Sequence, residues 1–82
     1  MKVQKKDGTT EDFNREKIKA GIVKSGGTAE QAEMIASQIE TWASTVAVDG
    51  VIKVSDIRIK LLELLGVANP AVKTAFENYK KL

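Results

Sequence analysis

The stretch "KKDGTTEDFNREKI", residues 5–18, gathers Lys5, Lys6 and Lys17 around Glu11 and Asn14. Ammonium groups are compact point charges that suit a flexible phosphate chain. A carboxylate makes little sense beside phosphates alone. A carboxylate and an amide together, however, can read the N–H or hydroxyl edge of a base or sugar. The residue types therefore suit a nucleotide, with cations for phosphate and acidic or neutral groups for the nucleoside. A plainer reading stands beside this one: lysines next to a turn keep a hairpin edge soluble, and a lysine on a first helical turn is ordinary surface.

The elements that must position these groups can be read from the pattern. Met1, Val3 and Lys5 alternate with Lys2, Gln4 and Lys6 in a weak strand-like pattern. Asp7-Gly8 signals a two-residue hairpin of type I′, which needs positive φ at both positions. Residues 9–13 form the expected return strand. Asn14 is a good N-cap for a helix carrying Ile18, Ile22 and Val23 on one side, which Gly26-Gly27 ends. With Lys5 on the strand and Lys17 one turn into the helix, both can face one rim of the hairpin. The N–H groups after Asn14 would add the positive end of a helix dipole.

Thr28 to Gln31 has the T-x-x-Q form of a capping box. Ala32, Ile35, Ala36, Ile39, Ala43 and Val46 then recur at helical steps, and Asp49-Gly50 breaks that helix. Val51, Ile52 and Val54 predict a short third strand, with Ser55 capping a third helix whose apolar positions are Ile57, Leu61, Leu64 and Leu65. Gly66 is expected just past its end, and Pro70 at the first position of a fourth helix lined by Val72, Phe76 and Tyr79. Trp42 reads as packing before base stacking. Phe76 and Tyr79 read as core, Leu62 as part of a crowded core before an exposed self-association surface, and Glu30, Glu33 and Glu40 as a solvated helix face. The fold class is α+β, a hairpin or three-stranded sheet on four dominant helices, in one domain spanning residues 1–82.

Composition narrows the function. An 82-residue chain has room for one core and buries only about 60% of its unfolded surface. Hydrophobic residues at 43% and charged residues at 29% describe a globular chain rather than a disordered tail. With no cysteine and no histidine, disulfides, zinc ribbons, thiol radical chemistry and Ser-His or Cys-His catalysis are excluded. A metal would need oxygen ligands, which points to magnesium carried in by phosphate. The net charge of +2 disfavours a nucleic-acid partner. Neither an h-region nor a stretch approaching a membrane span is present, so a cytoplasmic protein without membrane contact is expected.

Three segments resemble the ATP-cone domain. "VQKKDGTTEDFNREKI" (residues 3–18) is similar to the family's opening motif of a hydrophobic residue, x, Lys-Arg-Asp-Gly, a gap, Glu-x-apolar-Asn/Asp and Lys-Ile. "DGVIKVSDIRIKLL" (residues 49–62) is similar to the segment that begins the family's third helix, and "AFENYKK" (residues 75–81) to the closing aromatic-x-x-aromatic with basic residues. The resemblance implies a small bundle of four helices capped by a short β-sheet. It also implies ATP or dATP as ligand, with magnesium, and a regulatory role through association with itself or with a ribonucleotide-reductase-like partner, without chemistry on the ligand.

By the same resemblance, Lys5 and Lys17 contact phosphates, Glu11 and Asn14 hold the adenosine, and Val3, Phe13 and Ile18 wall the base. Lys6 belongs to the same segment, Ile57 and Arg58 lie near the phosphates, and Lys80 or Lys81 closes the site. Lys6 stands where the family usually has arginine, which removes any bidentate contact there. Val54 falls where some members place a hydroxyl. A few charge-assisted hydrogen bonds and a partly buried base suit a micromolar site, roughly −8 kcal/mol. The alternatives are a nucleic-acid-binding protein and a protein-interaction module with a vestigial nucleotide site. Glu11 beside Lys17 lacks a nucleophile, which disfavours an enzyme.

Overall fold

The computed structural model describes residues 1–78. Strand β1 (Lys2–Gln4) and β2 (Thr10–Asp12) form a hairpin, followed by helices α1 (Arg15–Lys24) and α2 (Ala29–Val46), strand β3 (Val51–Lys53), and helices α3 (Val54–Ala68) and α4 (Pro70–Asn78). The fold is α+β, four helices with a three-stranded mixed sheet ordered β2-β1-β3. β1 pairs antiparallel with β2 and parallel with β3. A parallel pair needs a long crossover, and here β2, α1 and α2 supply it.

Register decides which side chains meet the helices. Val3 lies opposite Glu11 on one side and Ile52 on the other. Side chains on one face share a row, and Val3 and Ile52 are buried, so the Val3–Glu11–Ile52 row is the inner one. Lys2 and Asp12 belong to the outer face, where they form an ion pair. α1 packs on α2, α2 on α3, α3 on α4, and α4 returns to α1. The core between them holds Ile22, Ile35, Ile39, Leu61, Leu65 and Phe76, all essentially inaccessible. Each such side chain contributes about 1.5–3 kcal/mol by leaving water.

The two Asp-Gly pairs behave differently. Asp49 (φ 52°) and Gly50 (φ 75°) are both left-handed, and Val48 and Val51 exchange both backbone hydrogen bonds at 2.9 and 3.0 Å. That is the type I′ geometry expected of Asp-Gly, but it occurs here rather than at residues 7–8. In the first hairpin only Gly8 (φ 88°) is left-handed. Lys5 receives the Gly8 N–H at 3.0 Å and donates its own N–H to the Thr9 carbonyl at 2.8 Å. The loop is thus three residues long, Lys6-Asp7-Gly8, a turn followed by a left-handed glycine. The Asp7 carboxylate accepts the Thr9 N–H (3.0 Å) and hydroxyl (2.7 Å), which holds the aspartate in the turn without positive φ.

Helix boundaries follow the capping signals in part. Asn14 caps α1, and Thr28 with Gln31 forms the reciprocal capping box of α2. Ser55 does not cap α3. The strand passes directly into the helix, with Lys53 at the N-cap position and no side-chain cap, so Ser55 already lies in the first turn. Gly66 does not end α3 either. The helix continues to Ala68 and stops at extended Asn69 (φ −162°), because the residue before proline is pushed out of the helical region. Asn69 accepts the Val72 N–H at 3.4 Å, and Pro70 opens α4.

Several apolar positions also move. Val23 and Val46 were expected on buried stripes but are about half exposed, being the last apolar residues before each helix ends. Leu62 is packed against the core, as the crowded-core reading expects, and the exposed large apolar side chains of α3 are Ile59 and Val67. Tyr79, Lys80 and Lys81 lie outside the described residues.

Candidate functional site

Two lysines twelve residues apart in sequence converge on one carboxylate. Lys5, just past β1, places Nζ 3.3 Å from Glu11 Oε2, and Lys17, in the first turn of α1, places Nζ 3.6 Å from the same oxygen. The hairpin carries Lys5 back beside β2, whose register turns Glu11 toward the helices. Asn14 then starts α1 sharply enough to bring Lys17 to the same rim. Both cations draw the Glu11 pKa below the usual glutamate range, Lys5 through its hydrogen bond most strongly, against a smaller opposing effect of desolvation. The lysine side chains remain at least half exposed, while Glu11 is partly covered.

The helix terminus contributes less than its dipole promised. Asn14 Oδ1 accepts the Glu16 N–H at 3.0 Å, and the Asn14 carbonyl accepts the Lys17 N–H at 3.2 Å. These two donors are therefore occupied within the chain. The Asn14 amide NH₂ is not needed for the cap. Lys6 sits exposed in the hairpin loop, next to the Asp7 carboxylate, whose pKa is lowered chiefly by the Thr9 hydroxyl.

The remaining expected residues divide into core and periphery. Val3 and Ile57 are buried members of the core, and Phe13 and Ile18 are half-buried against it. Phe13 lines an open hollow with Met1, Asp12, Glu40, Thr41, Ser44 and Thr45, which contains neither lysine of the cluster. Arg58 turns toward α4, its guanidinium 5.7 Å from the Phe76 ring centroid and 3.5 Å from the Glu77 carbonyl. Trp42 lines a separate groove of about 540 Å³ with Val48, Lys53, Ile59 and Lys60, and the Lys60 ammonium lies 5.9 Å from its ring. That placement fits packing, in a groove whose lining includes none of Lys5, Glu11 and Lys17.

One ionic arrangement has no counterpart in the expected site. Arg15 reaches from α1 to Glu33, Ser37 (3.1 Å) and Glu40 (3.5 Å) on α2, and Lys19 joins Glu33 at 2.6 Å. Glu33 and Glu40 are thus engaged, not merely solvated, and the Glu33 pKa is lowered mainly by Lys19. The spacing of Arg15 and Lys19, one turn apart, was the available signal; Glu33, Ser37 and Glu40 share a face of α2 by the same rule. This network fixes the helix that carries Asn14 and Lys17.

Among the described residues, no group of acidic side chains could hold a metal ion, and no helix is long and apolar enough to cross a membrane. A three-stranded mixed sheet, four helices and a rim on which Lys5 and Lys17 meet Glu11 define a small α+β domain. The chain matches the family model of the ATP cone domain over residues 1–81, and it belongs to that family. No curated protein matches it. The family is one of nucleotide-binding regulatory domains that take ATP or dATP.

Proposed function

We propose that this chain binds ATP or dATP at the rim between the β1–β2 hairpin and α1, and that occupancy changes its association with itself or with a ribonucleotide-reductase-like partner. No bond of the nucleotide is made or broken. The observation that carries this reading is the convergence of Lys5 and Lys17 on Glu11, at 3.3 and 3.6 Å. Both ammonium groups lie against one and the same Glu11 oxygen, so an anionic phosphate oxygen at this rim can engage two point charges at once.

In this reading Lys5 and Lys17 take the phosphates, and Lys6 adds positive potential from the loop. Glu11 and the Asn14 amide face the adenosine. Val3, Phe13 and Ile18 offer the apolar wall for the base, and Ile57 lies toward the phosphates. Arg58 reaches the phosphates by leaving its contact with α4, and Lys81, outside the described residues, is proposed to close the site. Magnesium arrives with the nucleotide, held by phosphate oxygens and water. The setting is cytoplasmic, where such nucleotides serve as signals.

Calorimetric titration with ATP, dATP, GTP and AMP in magnesium buffer, with particle sizing in each state, tests this directly. Adenine-selective binding that requires the triphosphate is expected, with a micromolar Kd. Lys5→Ala and Lys17→Ala should each weaken ATP binding about tenfold or more, since each removes a charged contact. Unchanged titrations for both variants would sink the assignment, and absence of heat at about millimolar ATP, a concentration corresponding to roughly −4 kcal/mol, would point to a vestigial pocket.

A further inference from the structure

We propose that Glu11 is a built-in counter-anion that lets the site discriminate a nucleotide from a bare polyphosphate; this rests on the nucleotide-binding reading above. The register places Glu11 in the inner row with Val3 and Ile52, both buried and apolar. A carboxylate in such a row is costly unless it is paired. Here it is paired twice, with the ammonium groups of Lys5 and Lys17. Its oxygen occupies the point on which the two cations converge, where an incoming phosphate would seek them.

The three side chains together carry one net positive charge rather than two. An inorganic polyphosphate has little to offer this arrangement, being almost entirely acceptor and negative. To reach the lysines it must take them from Glu11, and it leaves that carboxylate facing a like charge without new donors. A nucleotide brings the same phosphates together with N–H and O–H donors on base and sugar. When its phosphates take Lys5 and Lys17, its nucleoside can satisfy Glu11. Binding is then an exchange in which the carboxylate changes partners, and only a ligand with both ends completes it. Selectivity arises from a penalty on the wrong ligand as much as from contacts to the right one.

The proposal predicts opposite responses to two probes. Wild-type chain and Glu11→Gln are titrated with ATP and with inorganic tripolyphosphate, and the urea midpoint of each is recorded to confirm folding. Glutamine has the same shape at a partly exposed position, so the variant is expected to fold. Tripolyphosphate should bind Glu11→Gln about tenfold more tightly than wild type, the worth of one charged contact, while ATP affinity does not improve. The preference for ATP over tripolyphosphate should therefore collapse.

If tripolyphosphate affinity is the same in both proteins while wild type binds ATP, the proposal is overturned and the nucleotide reading stands. If wild type binds neither probe, that reading fails. The discrimination by Glu11, which rests on that reading, is then overturned with it.

Discussion

The guanidinium of Arg15 lies 3.5 Å from the Glu40 carboxylate while also holding Glu33, two positions separated by nearly two turns of α2. α1 has few apolar residues facing inward, Ile22 being its one fully buried large side chain. Its seating therefore depends on charge more than that of the other helices does. Arg15→Ala should lower the urea midpoint, and the loss should be larger at low salt than at about 1 M, where the screening length falls to about 3 Å. It should also weaken nucleotide binding without touching the ligand, because Lys17 and Asn14 ride on the same helix.

Two glycines should respond to alanine in opposite directions. Gly66 lies inside α3, where a Cβ would come 3.0 Å from the flexible Lys73 stem. That stem can give way, and helix propensity favours alanine by up to about 1 kcal/mol. Gly66→Ala should thus raise stability by roughly 0.5–1 kcal/mol in a denaturant titration. A Cβ at Gly27 would stand 2.6 Å from Ile22 Cγ2 and 3.1 Å from the Ile22 carbonyl oxygen. Ile22 is buried without freedom to retreat, so Gly27→Ala should cost about 1–3 kcal/mol, as overpacking does.

The turn at Asp49-Gly50 offers a third test. Gly50 has a φ of 75° with open space around its Cα. Gly50→Ala therefore meets no neighbour and pays only for the left-handed backbone, on the order of 1–2 kcal/mol. Gly50→Asn, which tolerates that region better, should recover part of the loss. Equal losses for both would mean that something other than backbone strain is responsible.

Stability should fall at both ends of the pH scale and vary little between. Hydrogen bonds from Lys5, Lys2 and Lys19 lower the pKa values of Glu11, Asp12 and Glu33, and Thr9 lowers that of Asp7. At acid pH the unfolded chain binds more protons at these sites, so their stabilisation is present above about pH 4 and is lost as pH falls through the lowered values. Lys19 is raised, chiefly by Glu33. Its contribution is complete below about pH 10.4 and is lost as pH rises beyond that. With no histidine or cysteine, the urea midpoint should be nearly level from about pH 5 to 9. A pronounced slope in that window would contradict these assignments.

Local signals served well wherever a backbone donor or a buried stripe was at stake. Asn14, Thr28 and Pro70 each mark a helix start, because an orphan N–H or a fixed φ is a property of the residue itself. Ala32 through Ala43 and Val72 with Phe76 follow helical period because a whole face is buried. What the chain did not disclose locally were events decided by distant partners. Lys53 leads straight into α3 because pairing with β1 ends opposite Gln4, and no nearby residue encodes that. Asp7-Gly8 and Asp49-Gly50 are the same dipeptide, yet the loop length at each is set by which residues flank it in the ladder. The shared rim of Lys5 and Lys17 was legible, and so was Glu11 beside Lys17; that both ammonium groups would meet on one Glu11 oxygen followed only from strand register.

The unbroken passage from β3 into α3 has a mechanical meaning. β1 carries the hairpin on one edge and is bonded along its other edge to β3, whose last residue is the N-cap of α3. No connecting segment lies between strand and helix to absorb slack. A tug on Lys5 or Glu11 therefore loads a single stiff shaft, which presents Ile59 along its length and Val67 at its far end to the surroundings.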